Sequence, residues 1–150
     1  MKGTHLIIGD VHGMYAPFSR AVKFAQANQL HLVTAGDLID NGPDAYAVVE
    51  LMLQEMFEGR ATGVMGNHEW KILRWLKGND VTLSNPNMPT IEAMEKQPVL
   101  KDMFTRYTER LSFNLKLSEK MFVAHAAIKP EWWTSRTDTK KTEAYNMYGN

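Results

Sequence analysis

The sequence predicts a layered α/β sandwich over residues 1–150, and three features of its patterning lead there. Short apolar runs end in Gly-Asp or Gly-Asn, as buried strands do where they give way to turns. Longer segments between them place apolar residues three and four apart, the spacing of a helix that packs on one face. From Phe113 the period changes to two, which marks a half-buried hairpin.

Taken in order, Leu6-Ile7-Ile8 reads as the first strand, and Phe18, Ala21, Val22 and Ala25 form the face of a helix that stops near Asn28. Residues 30–35 read as a second strand. Ala45, Val48, Val49, Met52, Leu53 and Met56 then give a strong helical stripe, with Gly59 suited to its C-terminal stop. Residues 61–65 form a weaker third strand, followed by a helix through Ile72, Leu73 and Leu76 that Gly78 ends. Asn, Pro, Ser and Thr dominate residues 79–89, which read as a loop. A helical stretch follows, and Pro98 suits the first turn of a helix whose apolar face is Leu100, Met103, Phe104, Tyr107 and Leu111. Phe113, Leu115 and Leu117 alternate with polar residues, and Met121 to Ala124 completes the hairpin just before His125. Beyond Pro130, where Trp132 and Trp133 are adjacent and residues 137–142 are polar, the pattern weakens.

A chain of 150 residues suits one domain with one core. Lys plus Arg and Asp plus Glu number 17 each, so the net charge is +0 and no long-range field draws the chain onto nucleic acid or an anionic membrane. The absence of cysteine removes disulfides, thiolate nucleophiles and Cys-based zinc sites, which leaves His, Asp, Asn and Glu for any metal chemistry. The apolar run before Asp10 is far shorter than a signal peptide requires, and no run approaches a membrane span. The expected location is cytoplasmic. Nothing in the pattern sets an oligomeric state.

Four strand ends each carry metal-ligand residue types: Gly9-Asp10-Val11-His12-Gly13, Gly36-Asp37-Leu38-Ile39-Asp40, Gly66-Asn67-His68-Glu69 and Ala124-His125-Ala126. Ligands of open α/β sheets bind outside the carboxyl ends of the strands, so these clusters can converge. Asp10 and His12 stand two apart just past a strand, where alternation puts both on one side. A carboxylate such as Asp37 can bridge two cations, and imidazole and amide oxygen suit Mn, Fe or Zn better than Ca. Two cations about 3.5–4 Å apart polarise a phosphoryl group and activate water near neutral pH, so no protein nucleophile is needed. His68, beside Asn67, has a suitable unperturbed pKa for protonating a leaving oxygen, and Asp40 is placed to orient it. Taken singly, each residue has an ordinary reading. Gly-Asp after a strand is usually a turn, and an isolated His is usually a hydrogen-bonded structural residue. Glu69 reads as a first-turn charge favoured by the helix dipole. His5 and His31 read as structural, and Met52, Met56, Trp70 and Trp75 as packing.

Extended to Gly36 through Pro43 and to Val123 through Ile128, these motifs resemble, in order and spacing, the signatures of calcineurin-like metallophosphoesterases. Within that superfamily the chain is similar to the Ser/Thr protein phosphatase-like branch. The stretch from Gly66 to Arg74 and the pair Tyr148-Gly149 look like the phosphatase module of bacterial polynucleotide kinase-phosphatases. The resemblance implies two divalent metal ions, Mn in the first instance with Fe, Zn or Ni as alternatives. Asp10, His12 and Asp37 would hold one ion and Asp37, Asn67 and His125 the other, with His68 as general acid paired with Asp40. It further implies hydrolysis of phosphomonoesters by metal-activated water, the substrate being a phosphoprotein, a nucleotide or a nucleic-acid end. Phosphodiesters and dinucleoside polyphosphates are the alternative substrates, and a noncatalytic phosphate-binding or regulatory module is the alternative class.

Two departures from the family pattern stand out. Asn41 occupies a position where the family has an Arg that clamps phosphate, and an amide does not replace a guanidinium fork. No His follows His125, whereas the family has a later Gly-His motif that supplies a further ligand. The expected sandwich therefore lacks its last strands, and the domain is expected to be short at its C-terminal end.

Overall fold

The computed structural model describes residues 4–132 and 140–149; Trp133 and the polar residues 137–139 of the tail lie outside the described residues. Three parallel strands, β1 (His5–Ile8), β2 (His31–Thr34) and β3 (Ala61–Gly63), lie side by side in that order. Helix α1 (Tyr15–Ala27) joins β1 to β2 and α2 (Ala45–Phe57) joins β2 to β3, because parallel neighbours need a crossover where antiparallel ones need only a turn. Three helices follow: α3 (Asn67–Leu76), α4 (Met88–Lys96) and α5 (Val99–Thr108). The antiparallel hairpin of β4 (Asn114–Ser118) and β5 (Met121–Ala124) comes next, and then α6 (Lys140–Tyr148).

Alternation along β2 separates the layers. Leu32 joins the large core with Phe18 and Val22 of α1, Val48 and Met52 of α2, and Phe104 and Tyr107 of α5. Val33 points the other way and packs with Val64 and with Leu117 and Val123 of the hairpin. Helices thus cover one face of the sheet and the hairpin covers the other, the layered α/β arrangement that the sequence predicts. Ala45, Val48, Val49 and Met52 of the α2 stripe are 0% exposed and Leu53 is 5% exposed. Each large apolar side chain withdrawn from water contributes about 1.5–3 kcal/mol. That burial holds α2 against α1, α4 and α5.

Three local expectations need correction. The β3 ladder ends at Gly63 rather than Met65, and Val64 instead bridges to Ser112. Residues 79–89 are not loop throughout, since a 3-10 turn at Asn85–Asn87 runs into α4 at Met88. Pro89 sits in the first turn of α4, where its missing N–H leaves no helical bond unmade. Finally, the tail contains α6, whose Met147 is buried in the large core and whose Asn146 carbonyl accepts the Ala126 N–H at 2.7 Å. Among the described residues no helix is long and apolar enough to cross a membrane.

Candidate metal centre

The carboxyl ends of β1, β2, β3 and β5 lead to one place, with Asp37 at its middle. Asp37 has φ 54°, and His12, Asp40 and Asn41 have φ 48°, 69° and 59°; only Gln29 among the other described non-glycine residues is also left-handed. Such conformations cost about 1–3 kcal/mol each and persist only where surrounding bonds over-determine them. The bonds are present. The Asp37 carbonyl accepts the N–H groups of Val11 and His12, both at 2.9 Å. The N–H groups of Asp37 and Leu38 donate to the two oxygens of Glu69 at 2.9 and 2.7 Å. The Asp37 carboxylate accepts the N–H of His68, in the first turn of α3, at 3.1 Å. Gly36 and Gly66 leave room for this crossing. A Cβ on Gly36, at φ 96°, would stand 2.9 Å from His125 Nδ1, and one on Gly66 would collide with the Asp37 carboxylate.

Two sequence readings change here. Asp10 and His12 approach each other through the left-handed turn at His12, beyond the end of β1, and not through strand alternation. Glu69 does lie in the first turn of α3, but it is no solvated charge: it is 0% exposed and also accepts the Gly66 N–H at 3.2 Å. Burial, and then the charge of Asp37, push its carboxyl up to about 7 against the opposing pull of its backbone bonds.

Each site histidine commits Nδ1 to a fixed partner and turns Nε2 inward. His12 Nδ1 donates to the Ile39 carbonyl at 3.0 Å and His125 Nδ1 to the Ala35 carbonyl at 2.9 Å. A carbonyl only accepts, so Nδ1 holds the proton and Nε2 of the neutral ring presents a lone pair. Those lone pairs face oxygens. His12 Nε2 is 3.7 Å from an Asp10 oxygen, and His125 Nε2 is 3.4 Å from an Asp37 oxygen and 2.8 Å from Asn67 Oδ1. Acceptors facing acceptors are satisfied by a cation between them, and tethering the outer nitrogen is the usual way a ligating His is oriented. The imidazole, carboxylate and amide donors fit a divalent transition ion.

Among the described residues, His, Asp and Glu donor atoms gather in two groups, His12 with Asp37 and His68, and Asp10 with Asp37 and His125, each within 4.8 Å. Asp37 belongs to both. Asp10 gathers with His125 in one group and His68 joins His12 in the other, while Asp10 also stands 3.7 Å from His12.

His68 is held from behind by Asp40. The fully buried Asp40 accepts His68 Nδ1 at 2.7 Å and Asn87 Nδ2 at 2.5 Å, and its N–H donates to Thr90 Oγ1 at 2.9 Å. The bond to Asp40 raises the His68 pKa above 6.5, although burial opposes it. Asn87 and Thr90 escape the sequence reading. Asn85-Pro86-Asn87 signals a turn, and nothing in that local signal names a partner as distant as Asp40. His5 and His31 lie at the opposite end of the strands, with rings 6.0 Å apart.

A parallel α/β layer with imidazole and carboxylate donors gathered at its carboxyl edge is the arrangement of an α/β protein with a candidate divalent-metal centre. Residues 4–147 match the calcineurin-like phosphoesterase family, and the chain belongs to it. It is 31% identical over 161 residues to the asymmetrical bis(5'-nucleosyl)-tetraphosphatase PrpE of Oceanobacillus iheyensis, covering 96% of this chain and 63% of that protein. To the PrpE of a Geobacillus species it is 28% identical over 160 residues, covering 96% and 64%. A crystal structure described as a candidate diadenosine tetraphosphatase matches with a TM-score of 0.65 at 28% identity, over 96% of this chain and 59% of that one. The chain therefore spans less than two thirds of the length of these relatives. Their names point to nucleotide substrates rather than to phosphoproteins.

Proposed function

We propose that the chain hydrolyses nucleotide phosphoanhydrides, dinucleoside polyphosphates foremost. Two divalent cations, Mn or a similar transition metal, would be held by Asp10, His12, Asp37, Asn67 and His125. The observation that carries this reading is Asp37, whose carboxylate is common to both donor groups while its backbone is tied to the β1 turn and to Glu69. The names of the relatives support the substrate class.

Bound cations would neutralise phosphoryl charge and acidify water. The chain's own residues supply the geometry. Asp37 keeps the two donor groups at a set separation, and the Nδ1 tethers of His12 and His125 fix their ring planes. His68, oriented by Asp40, offers its Nε2 proton to the leaving oxygen. Asn87 and Thr90 keep Asp40 from turning away.

The Asp40–His68 pair also favours a second reading, phosphomonoester hydrolysis, since a general acid matters most for a basic alkoxide leaving group. The test compares a dinucleoside tetraphosphate with an alkyl phosphate, with and without chelator. Higher kcat/KM for the dinucleotide supports the first reading and preference for the alkyl ester the second. Turnover undiminished in excess chelator sinks both.

A further inference from the structure

Two buried carboxylates stand behind the metal centre, and they are served differently. Asp40 is held by the side chains of Asn87 and Thr90, whereas Glu69 takes backbone N–H groups. Its Oε2 accepts those of Asp37 and Gly66, and its Oε1 accepts that of Leu38. A carboxylate offers about two acceptor positions on each oxygen, so one position on Oε1 is open.

The group that faces this carboxylate comes from α5, which packs against α3. Tyr107 is 0% exposed, and its ring stands 6.0 Å from that of Phe104. Burial, and then the charges of Glu69 and Asp37, raise its pKa well above the usual tyrosine value. Yet its buried hydroxyl has no hydrogen-bond partner among the described residues. A tyrosine hydroxyl left unpaired in a core is costly, and such groups ordinarily find an acceptor. The open Oε1 position of Glu69 is the acceptor that its surroundings provide.

We propose that Tyr107 is a positioning residue of the metal centre: its hydroxyl supports Glu69 at the open Oε1 position, and Glu69 in turn holds the backbone of Asp37, whose carboxylate both donor groups share. The inference rests on the metal-centre reading above. Tyr107 acts only through Glu69, on the left-handed turn at Asp37.

Equilibrium titration of the metal-free chain with Mn alone tests this. Tyr107→Phe keeps the ring and its packing and so retains the fold; it should weaken Mn binding about tenfold, the lower end of what losing a partner behind a metal ligand costs. Phe104→Leu disturbs the same stretch of core without removing the hydroxyl, and it should lower stability while Mn affinity changes less than about twofold. In a Glu69→Gln background, Tyr107→Phe should cost less than about a further twofold, because the two residues act as one unit. Mn affinity unchanged in Tyr107→Phe, or losses that simply add to those of Glu69→Gln, overturns the assignment. A loss in Phe104→Leu as large as that in Tyr107→Phe also overturns it, since general loosening of the core would then be the cause. Failure of the metal-centre reading itself looks different: wild type binds no Mn, while the Asp37 and Leu38 amides still exchange hydrogen faster in Tyr107→Phe than in wild type.

Discussion

At the amino end of the sheet His31 stands 3.3 Å from the Thr62 hydroxyl and against the ring of His5; burial, and then the charge of His5, lower its pKa below 6.5. At the carboxyl end His68 is also partly buried, yet its pKa is raised, because Asp40 bonds its Nδ1. The two ends share residue types, strands and burial. They differ in the carboxylates that the loops bring up behind the carboxyl end, and in the backbone strain that holds those carboxylates there. A buried histidine is driven neutral by default, and only a specific partner reverses the sign.

The largest effect is expected at the hub of the carboxyl end. Asp37→Asn should reduce kcat/KM by more than the ~10²–10⁴-fold associated with losing a general acid, and should lower the content of both metals. Asp10→Asn should lose less of both. Equal loss of a single metal in the two variants would show that Asp37 does not bridge.

Next in size is the pair that reverses the histidine's pKa. His68→Asn and Asp40→Asn should each slow substrates with basic leaving oxygens by about 10²–10⁴-fold while retaining metal, and should slow aryl phosphates much less. Loss of metal in His68→Asn would place His68 among the ligands, as its grouping with His12 and Asp37 allows.

Glu69 tests whether strain at this end is held by buried bonds. Glu69→Ala leaves the N–H groups of Gly66, Asp37 and Leu38 without their acceptor, and chemical denaturation should show a loss of about 3 kcal/mol or more. Glu69→Gln should lose less. Because the folded value of about 7 lies above the ordinary 4.5, this carboxyl favours the fold most below pH 4.5, and that contribution is lost as pH rises through about 7. Metal-free wild type should accordingly lose stability relative to Glu69→Gln over that interval, and a gap constant with pH would remove the assignment.

The smallest effect belongs to the amino end. His31 has its pKa lowered, so its contribution to stability is present above pH 6.5 and fades as pH falls below that value. His31→Gln should shift the acid midpoint of unfolding slightly toward lower pH and leave turnover unchanged. An acid midpoint that does not move would mean that another group governs acid unfolding.

Much of this architecture is legible in the chain because its causes are local. The α2 stripe from Ala45 to Leu53 repeats at helical spacing, and all of it is buried. The hairpin shows in the alternation of Phe113, Leu115 and Leu117, and the site motifs show in the residue types that end each apolar run. Asn87 and Thr90 were not legible, since they act on Asp40 from 47 and 50 residues away and leave no periodic trace. The burial of Glu69 was hidden for the same reason: its partners Leu38 and Asp37 lie 31 and 32 residues off, and in isolation the residue fits a solvated first turn equally well.

By itself the sequence determined the strands and main helices up to the hairpin, the apolar face of each, and which donor chemistries arrive at the strand ends, but not the 3-10 turn at Asn85–Asn87 or α6. Those properties follow from side-chain periodicity and residue type, which act over a few neighbouring positions. Only the tertiary structure decided that Asp37 is shared between two donor groups, that each site histidine turns Nε2 inward, and that four left-handed residues are held in place around them. Those outcomes depend on hydrogen bonds between segments distant in sequence, whose partners meet only after the sheet and its helices have packed.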